Sequence, residues 1–242
     1  MHITQKEATL YIIEEKLSPE VKTYLEENGV TIKSYNKIES DIKNVRQNIQ
    51  VSPTLNMKLF NAAGYPSSHD IDTGHKIMEI PSPVSLLKAV KNETEINGFR
   101  HAMERDGIAM VKFLKWLKEA VPAGNESELS VDRKLYELRA EQANFKGISF
   151  DTIAGYKEHA AIVHYEATPE TDIPLKPEGM LLLDSGAQYP DGTTDITRTI
   201  VLGPLSDEEK TDYTLVLKGF LQLQNAVFPE GTCGTQLDVL AR

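Results

Sequence analysis

Short hydrophobic runs alternate with helix-like patterns in the first part of the chain. The runs predict strands over residues 8–13, 30–35, 49–51 and 76–80. Helical patterns predict helices between them, over residues 18–28, 38–45 and 52–64. This order predicts an open α/β sheet. Since it contains no phosphate loop and no dinucleotide-binding glycine pattern, we interpret the segment as a scaffold or interface domain.

Helix boundaries are marked by residues with known terminal preferences. Ser18 can cap a helix, and the proline and glutamate that follow it suit the first turn. Ser52, also followed by proline, predicts a second start of this kind. After a proline-rich stretch at 81–83, Asn92 and Glu95 resemble a capping box, so the next strong element is expected to begin there.

The middle of the chain predicts two helices, and the last part predicts mainly strands. Apolar residues keep helical spacing over about seven turns from Ile96, as far as a stop at residues 121–124. A second helix is expected over residues 127–142, with Leu135 and Leu138 facing inward. Strands are predicted over residues 148–154, 160–165, 180–189 and 194–201. Ser206 then begins a further helix with an S-x-x-E motif.

Composition restricts the function classes. The 242 residues carry 36 acidic against 26 basic side chains, a formal charge of −10, which argues against nucleic acid as a partner. The single cysteine excludes a disulfide framework and a cysteine-based zinc site. The chain has neither a signal peptide nor a run approaching the ~18 apolar residues of a membrane span. We therefore expect no membrane partner and a cytoplasmic location.

Two aspartates are candidates for metal ligands. Asp184 ends a buried apolar run, and Asp195 opens the next strand. A reversal centred on Tyr189 and Pro190 would set these carboxylates opposite each other, with Cβ atoms ~5 Å apart. A reversal at the following Asp-Gly pair would need a bulge to do so. Two facing buried carboxylates repel unless one is protonated or cations lie between them, and oxygen ligands favour Mn²⁺, Mg²⁺ or Ca²⁺. Solvated turn acids or a capped loop are the alternatives.

The histidines are less informative from sequence alone. His164 ends an apolar run, where either a structural or a catalytic role is open. His159 lies in a polar stretch and is predicted to be a loop residue. The remaining histidines have no partners at metal-ligand spacing: His2, His69, His75 and His101.

Several motifs together resemble a known family. The segment DSGAQY from Asp184, with DGTTDITR from Asp191, is similar to the metal-binding hairpin of the Xaa-Pro aminopeptidases, which are pita-bread metallopeptidases. FDTIAG from Phe150 and AIVHY from Ala161 resemble the strand and substrate-side histidine of that family. The resemblance implies an α/β (α+β) fold. A partial creatinase-type domain is expected over residues 1–85 and a truncated pita-bread catalytic domain over residues 86–242.

The resemblance also implies site residues and a reaction. Asp184 and Asp195 match the first two metal ligands, His164 matches the catalytic histidine that binds substrate, and Thr197 matches a position beside the metals. Two Mn²⁺ ions with a bridging hydroxide are expected. The implied partner is a peptide with proline at its second position, from which the N-terminal residue is released. A homodimer is expected for the parent protein.

The remaining ligands of that family, a histidine and two glutamates, would come after Arg242. The chain is therefore expected to be a fragment with little or no peptidase activity alone. A prolidase-like dipeptidase is the alternative within the same enzyme class. A peptidase-like binding module without metals, or a truncated product with no function, are the alternatives outside it.

Overall fold

The structure is a computed structural model that describes residues 1–64 and 77–242. The chain divides into two compact units, Met1–Val90 and Lys91–Arg242. The predicted boundary between residues 85 and 86 separates two family domains, whereas the units above are defined by compactness. The domain boundary therefore stays a prediction. In the described ranges, none of the helices combines the length and apolar character needed to cross a membrane.

The described part of the first unit contains two small sheets. Strand β1 (His2–Ile3) is antiparallel to β2 (Ala8–Ile12), and β2 is parallel to β3 (Val30–Ser34). Strand β4 (Ile49–Val51) is parallel to β5 (Ile77–Glu79). The predicted single open sheet is therefore wrong for the described strands, which form separate three-stranded and two-stranded sheets. The elements are β1 (His2–Ile3), β2 (Ala8–Ile12), α1 (Pro19–Glu27), β3 (Val30–Ser34), α2 (Ile38–Lys43), β4 (Ile49–Val51), α3 (Met57–Ala62), β5 (Ile77–Glu79) and α4 (Pro83–Ala89).

Terminal residues explain where the helices of this unit begin. The Ser18 hydroxyl accepts a hydrogen bond from the Val21 amide, so the predicted start of α1 is confirmed. The predicted start at Ser52 is wrong. Ser52 instead hydrogen-bonds Thr54 within a turn, and Asn56 caps α3. Ser52 and Asn56 are both residues that can cap a helix and lie close together in the sequence, so the sequence alone does not show which of them caps α3.

Two further predictions in this unit need comment. Helix α4 was not expected, although Pro83 suits the first turn of a helix. Strand β5 confirms the predicted strand at its centre. Lys76, His69 and His75 lie outside the described residues.

The second unit packs two long helices on an antiparallel sheet. The sheet order is β11-β8-β7, and a smaller sheet has the order β10-β9-β6. The elements are α5 (Glu93–Ala123), α6 (Glu128–Ala140), β6 (Gly147–Ile148), β7 (Ile153–Tyr156), β8 (Met180–Ser185), β9 (Ala187–Tyr189), β10 (Gly192–Thr193), β11 (Ile196–Val201), α7 (Asp207–Gln224) and α8 (Gly234–Leu237).

Helix α5 follows the sequence prediction closely. Its capping box is present, since the Asn92 side chain accepts from the Glu95 amide and the Glu95 side chain accepts from the Asn92 amide, both at 2.9 Å. The helix ends at Gly124, whose φ of 84° few other residues adopt. Its apolar stripe and that of α6 cover one face of β8. The buried core contains Met110, Phe113, Leu117, Leu135, Leu138, Leu181 and Leu183.

The predicted strand over residues 160–165 is wrong. The segment forms a 3₁₀ helix, Lys157–Ala161, followed by a turn. Lys157 and His164 have left-handed φ angles of 49° and 57°, which bend the chain at both ends of the segment. The apolar run therefore has no strand partner, and Ile162 and Val163 remain exposed.

Candidate metal centre

The strand register decides which side chain faces Asp184. Asp184 lies on the central strand β8, opposite Thr197 on β11, and Tyr189 pairs with Gly192. The predicted pairing of Asp184 with Asp195 is wrong, because the reversal is centred one residue later than expected. Proline favours the second position of a four-residue turn, and Pro190 occupies that position. The resulting shift of two residues keeps every side chain on its predicted face.

The strands bend between the two aspartates. The Thr194 amide donates to the Ala187 carbonyl at 2.9 Å, and the Ala187 amide donates to the Thr194 hydroxyl, also at 2.9 Å. The Thr194 carbonyl accepts from the Ser149 hydroxyl instead of from a strand amide. A Cβ atom at Gly186 would collide with that carbonyl oxygen. Glycine therefore allows the close approach that separates β8 from β9.

Asp184 is oriented by a hydroxyl group. The Thr197 hydroxyl donates to Asp184 Oδ1 at 2.8 Å. The Asp184 side chain is half-buried on the face of β8 opposite to the core residues Leu181 and Leu183. Within the part of the chain that the structure describes, Thr197 gives the only side-chain hydrogen bond to this carboxylate. The second oxygen is thus available to a ligand.

Asp195 lies diagonally across from Asp184. Burial alternates along the strand entry, with Thr194 and Ile196 buried and Asp195 and Thr197 exposed. This alternation places Asp195 on the same face as Thr197, and therefore on the face of Asp184. Asp195 directly precedes β11, at the point where the chain bends towards β10.

The donor set fits a divalent cation in kind. Carboxylate oxygens are the ligands that Mn²⁺, Mg²⁺ and Ca²⁺ prefer, and Asp184 and Asp195 present them on one face. Over residues 1–64 and 77–242, no group of three or more histidine, cysteine, aspartate or glutamate side chains is arranged to hold a metal. Asp184 and Asp195 are thus two candidate ligands, fewer than a closed site needs.

The structure does not bring His164 into contact with the aspartates. His164 lies in the turn after the 3₁₀ helix and is exposed. Among the side chains that are described, it makes no hydrogen bond or ion pair with Asp184, Asp195 or Thr197, and Thr197 alone of the predicted residues contacts Asp184.

Sequence reasoning missed a buried polar cluster beside this turn. Glu128 is fully buried, and its two carboxylate oxygens lie 2.9 and 3.0 Å from His159 Nδ1. The Tyr165 hydroxyl donates to the same carboxylate at 2.9 Å, and the Tyr156 amide donates at 2.8 Å. His159, predicted to be a loop residue, thus lies in the 3₁₀ helix and faces a buried acid. Ser127 caps helix α6, so the sequence indicates where the helix begins, but it gives no sign that Glu128 contacts His159.

Tyr165 remains a hydrogen-bond donor in this cluster. Burial raises the pKa of the Tyr165 hydroxyl. The bond to Thr171 lowers that pKa, and the bond to Glu128 raises it. The net direction is upward, so the phenol is neutral at physiological pH and can donate to the carboxylate.

Helix α5 supports the hairpin that carries the aspartates. Arg105 pairs with Asp191 at the hairpin turn and lies over the Tyr189 ring, with 4.7 Å between the guanidinium carbon and the ring centroid. Behind it, the fully buried Arg139 of α6 makes two hydrogen bonds to Asp106 of α5, at 2.7 and 3.0 Å. This pairing joins the two helices on which the sheet rests.

An open cleft of about 570 Å³ runs along the face of β8 that carries Asp184. Met180 and Leu182 line the cleft. Both lie on the face of β8 that carries Asp184, opposite to the core residues Leu181 and Leu183. Lys157 and Glu209 lie at its rim. The cleft is thus lined by both apolar and charged side chains on the face of β8 that carries Asp184.

Comparison with known protein families accounts for both units. Residues 97–242 match Metallopeptidase family M24, and residues 1–95 match the Creatinase/Prolidase N-terminal domain. A protein of Botryotinia fuckeliana named probable Xaa-Pro aminopeptidase P is 41% identical over 99% of this chain and 37% of its own length. A protein of the same name from Sclerotinia sclerotiorum is also 41% identical, over 99% of this chain and 41% of its own length. The chain thus spans about two fifths of these relatives.

Solved structures agree with this assignment. The X-prolyl aminopeptidase from Caenorhabditis elegans, described as a cytosolic enzyme with a di-nuclear active site, has a TM-score of 0.86 and 31% identity over 99% of this chain and 39% of its own. The Xaa-Pro dipeptidase from Bacillus anthracis has a TM-score of 0.68 and 24% identity over 90% of this chain and 61% of its own, a likeness of fold. The predicted α/β class, with creatinase-type and pita-bread parts, is confirmed. The chain belongs to metallopeptidase family M24.

Proposed function

We propose that this chain forms part of a metal-dependent aminopeptidase that releases the N-terminal residue from peptides with proline at the second position. The observation that carries the proposal is the hydrogen bond from the Thr197 hydroxyl to Asp184 across the β8–β11 pair, with Asp195 two residues before Thr197 in the chain. Relatives named probable Xaa-Pro aminopeptidase P support the substrate class. Since the chain spans about two fifths of those relatives, the activity is proposed for the whole protein.

Asp184 and Asp195 would hold the metal, and we propose two Mn²⁺ ions in the complete site. When bound, such ions supply a water of lowered pKa and stabilise negative charge that develops on the substrate carbonyl. Thr197 holds Asp184 in one rotamer through its hydroxyl, which fixes the direction of the free oxygen. His164 is proposed to bind the substrate beside the metals, as the catalytic histidine.

Further parts of the proposal concern the whole protein. Residues 1–85 are proposed to be the creatinase-like domain and residues 86–242 the start of the catalytic domain. A cytoplasmic location, a homodimer and the absence of nucleic-acid or membrane partners are proposed as well. A net charge of −10 supports the exclusion of nucleic acid. Low activity of this chain by itself stays a prediction, because the described residues supply two metal ligands.

Metal binding tests the proposal directly. Mn²⁺ titration of the chain, followed by calorimetry, should show binding that Asp184→Asn or Asp195→Asn weakens at least ~100-fold, more than the loss of a supporting residue beside a metal. Asp207→Asn is the matched control, since it makes the same change at a fully exposed acid of α7, outside the hairpin, and should leave Mn²⁺ affinity unchanged. Equal Mn²⁺ affinity in wild type and Asp184→Asn would contradict the assignment.

Substrate length separates the proposed activity from the prolidase-like alternative. Whole protein loaded with Mn²⁺ should hydrolyse an Xaa-Pro-Yaa tripeptide. Cleavage restricted to Xaa-Pro dipeptides would favour the dipeptidase.

A further inference from the structure

One buried carboxylate holds both ends of the segment that carries His164. We name residues 157–164 the His164 loop. Tyr156 comes directly before it and donates its amide to Glu128 Oε1 at 2.8 Å. Tyr165 comes directly after it and donates its hydroxyl to Glu128 Oε2 at 2.9 Å.

A third contact reaches Glu128 from within the loop. His159 Nδ1 lies within hydrogen-bonding distance of both carboxylate oxygens, and its ring lies 4.5 Å from the Tyr165 ring between centroids. The His159 side chain is 19% exposed, whereas that of Glu128 is fully buried. A buried carboxylate is costly unless it is paired, so these three donors are what make the position suitable for an acid.

The loop has a conformation that needs such support. Lys157 and His164, at its two ends, have φ angles of 49° and 57°, which side chains with a Cβ atom adopt at a cost. Ile162 and Val163 are exposed, so packing of the loop tip does not hold it in place. The polar contacts to Glu128 tie the loop down on the side that faces the protein.

We propose that Glu128 is a positioning residue that fixes the His164 loop and thereby the direction in which the His164 imidazole is presented. The proposal rests on the proposed function, in which His164 binds the substrate. An apolar side chain at position 128 could be buried equally well, but it could not accept hydrogen bonds. The carboxylate of Glu128 has two acceptor oxygens, and it therefore joins Tyr156 before the loop, His159 within it and Tyr165 after it.

The test measures the conformation of His164 in the intact chain. A left-handed residue gives a strong intraresidue NOE between its amide and α protons. Glu128→Gln presents one acceptor oxygen instead of two, so at least one tie is lost. We expect the NOE at His164 to weaken and amide exchange over residues 157–165 to rise roughly 10- to 100-fold. Glu137→Gln, an exposed position on the same helix, should change neither.

Substitutions within the loop separate positioning from general stability. His159→Ala should reproduce the effect of Glu128→Gln, and His159→Asn should restore the NOE, because an asparagine amide can occupy the place of Nδ1. Tyr165→Phe removes one hydroxyl and should give an intermediate result. An unchanged NOE in both Glu128→Gln and His159→Ala would overturn the proposal. Failure of Mn²⁺ binding in this chain, or of hydrolysis by the whole protein, would count against the proposed function alone, since the NOE is measured without substrate.

Discussion

The β8–β11 pair and the His164 loop hold their proposed site residues by different means. Asp184 lies on a central strand with a ladder on each side, and Thr197 faces it directly. His164 lies in an exposed turn whose ends are tied to one buried side chain, Glu128. A strand-borne residue is thus placed by repeated backbone contacts, whereas a loop-borne residue depends on a few specific side-chain contacts.

Both regions share one support. The loop is tied to the first residue of α6, and the hairpin that carries the aspartates rests on α5. The buried pair of Asp106 and Arg139 joins these helices. Damage to this pair should reach both regions, whereas damage to one region alone should leave the other intact.

Asp106→Ala should have the largest effect. It leaves the Arg139 guanidinium buried without its partner, which costs about 3–5 kcal/mol of the free energy of unfolding. Urea denaturation measures the loss. The intraresidue NOE of His164 and Mn²⁺ binding should both weaken.

Glu141→Ala provides the matched control for that substitution. It breaks the Lys112–Glu141 pair, which joins α5 to the residue directly after α6 and is about half exposed, so we expect little change in the free energy of unfolding. Equal losses for the two variants would show that burial of the Asp106–Arg139 pair has no special importance.

Gly186→Ala should damage the strand region alone. The added Cβ atom would collide with the Thr194 carbonyl, and the resulting strain should cost about 1–3 kcal/mol. Thermal unfolding and Mn²⁺ titration should both report the change, with the NOE of His164 preserved. Gly107→Ala, a helical position with open space, should instead stabilise the chain by about 0.5–1 kcal/mol. A simultaneous loss of the His164 NOE in Gly186→Ala would contradict the independence of the two regions.

Thr197→Val should have the smallest effect on the fold and a local effect on the metal site. The substitution keeps the shape of the side chain and removes the hydroxyl that orients Asp184. Mn²⁺ affinity should fall about 10- to 100-fold. Thr197→Ser keeps the hydroxyl and should retain most of the affinity; if serine and valine weaken binding equally, the hydrogen bond is not the cause.

The sequence predicted the elements better than their pairing. Caps at Ser18, Asn92 and Ser206 are present where they were expected, because a cap depends on residues within one turn. The register of Asp184 was wrong by two residues, because one position of the turn at Pro190 decides it. The prediction of which side chains share a face of the sheet remained correct, because a shift of two residues leaves each side chain on the same face.

The prediction for residues 160–165 shows a different limit. A short apolar run is compatible with a strand, but left-handed residues at Lys157 and His164 turn it away from any partner. The segment is instead held by contacts with the buried carboxylate of Glu128, which lies 28 to 37 residues earlier in the sequence.

The sequence by itself determined helices α1, α5, α6 and α7, the alternation of buried and exposed positions on the strands, and the acids that are candidates for metal ligands. These properties follow from local preferences and periodicity, which neighbouring residues define. Only the tertiary structure decided that Asp184 faces Thr197, that Gly186 allows the bend, and that Glu128 holds the His164 loop. Each of these depends on contacts between distant residues, and such contacts form only when the chain excludes water and brings the elements together.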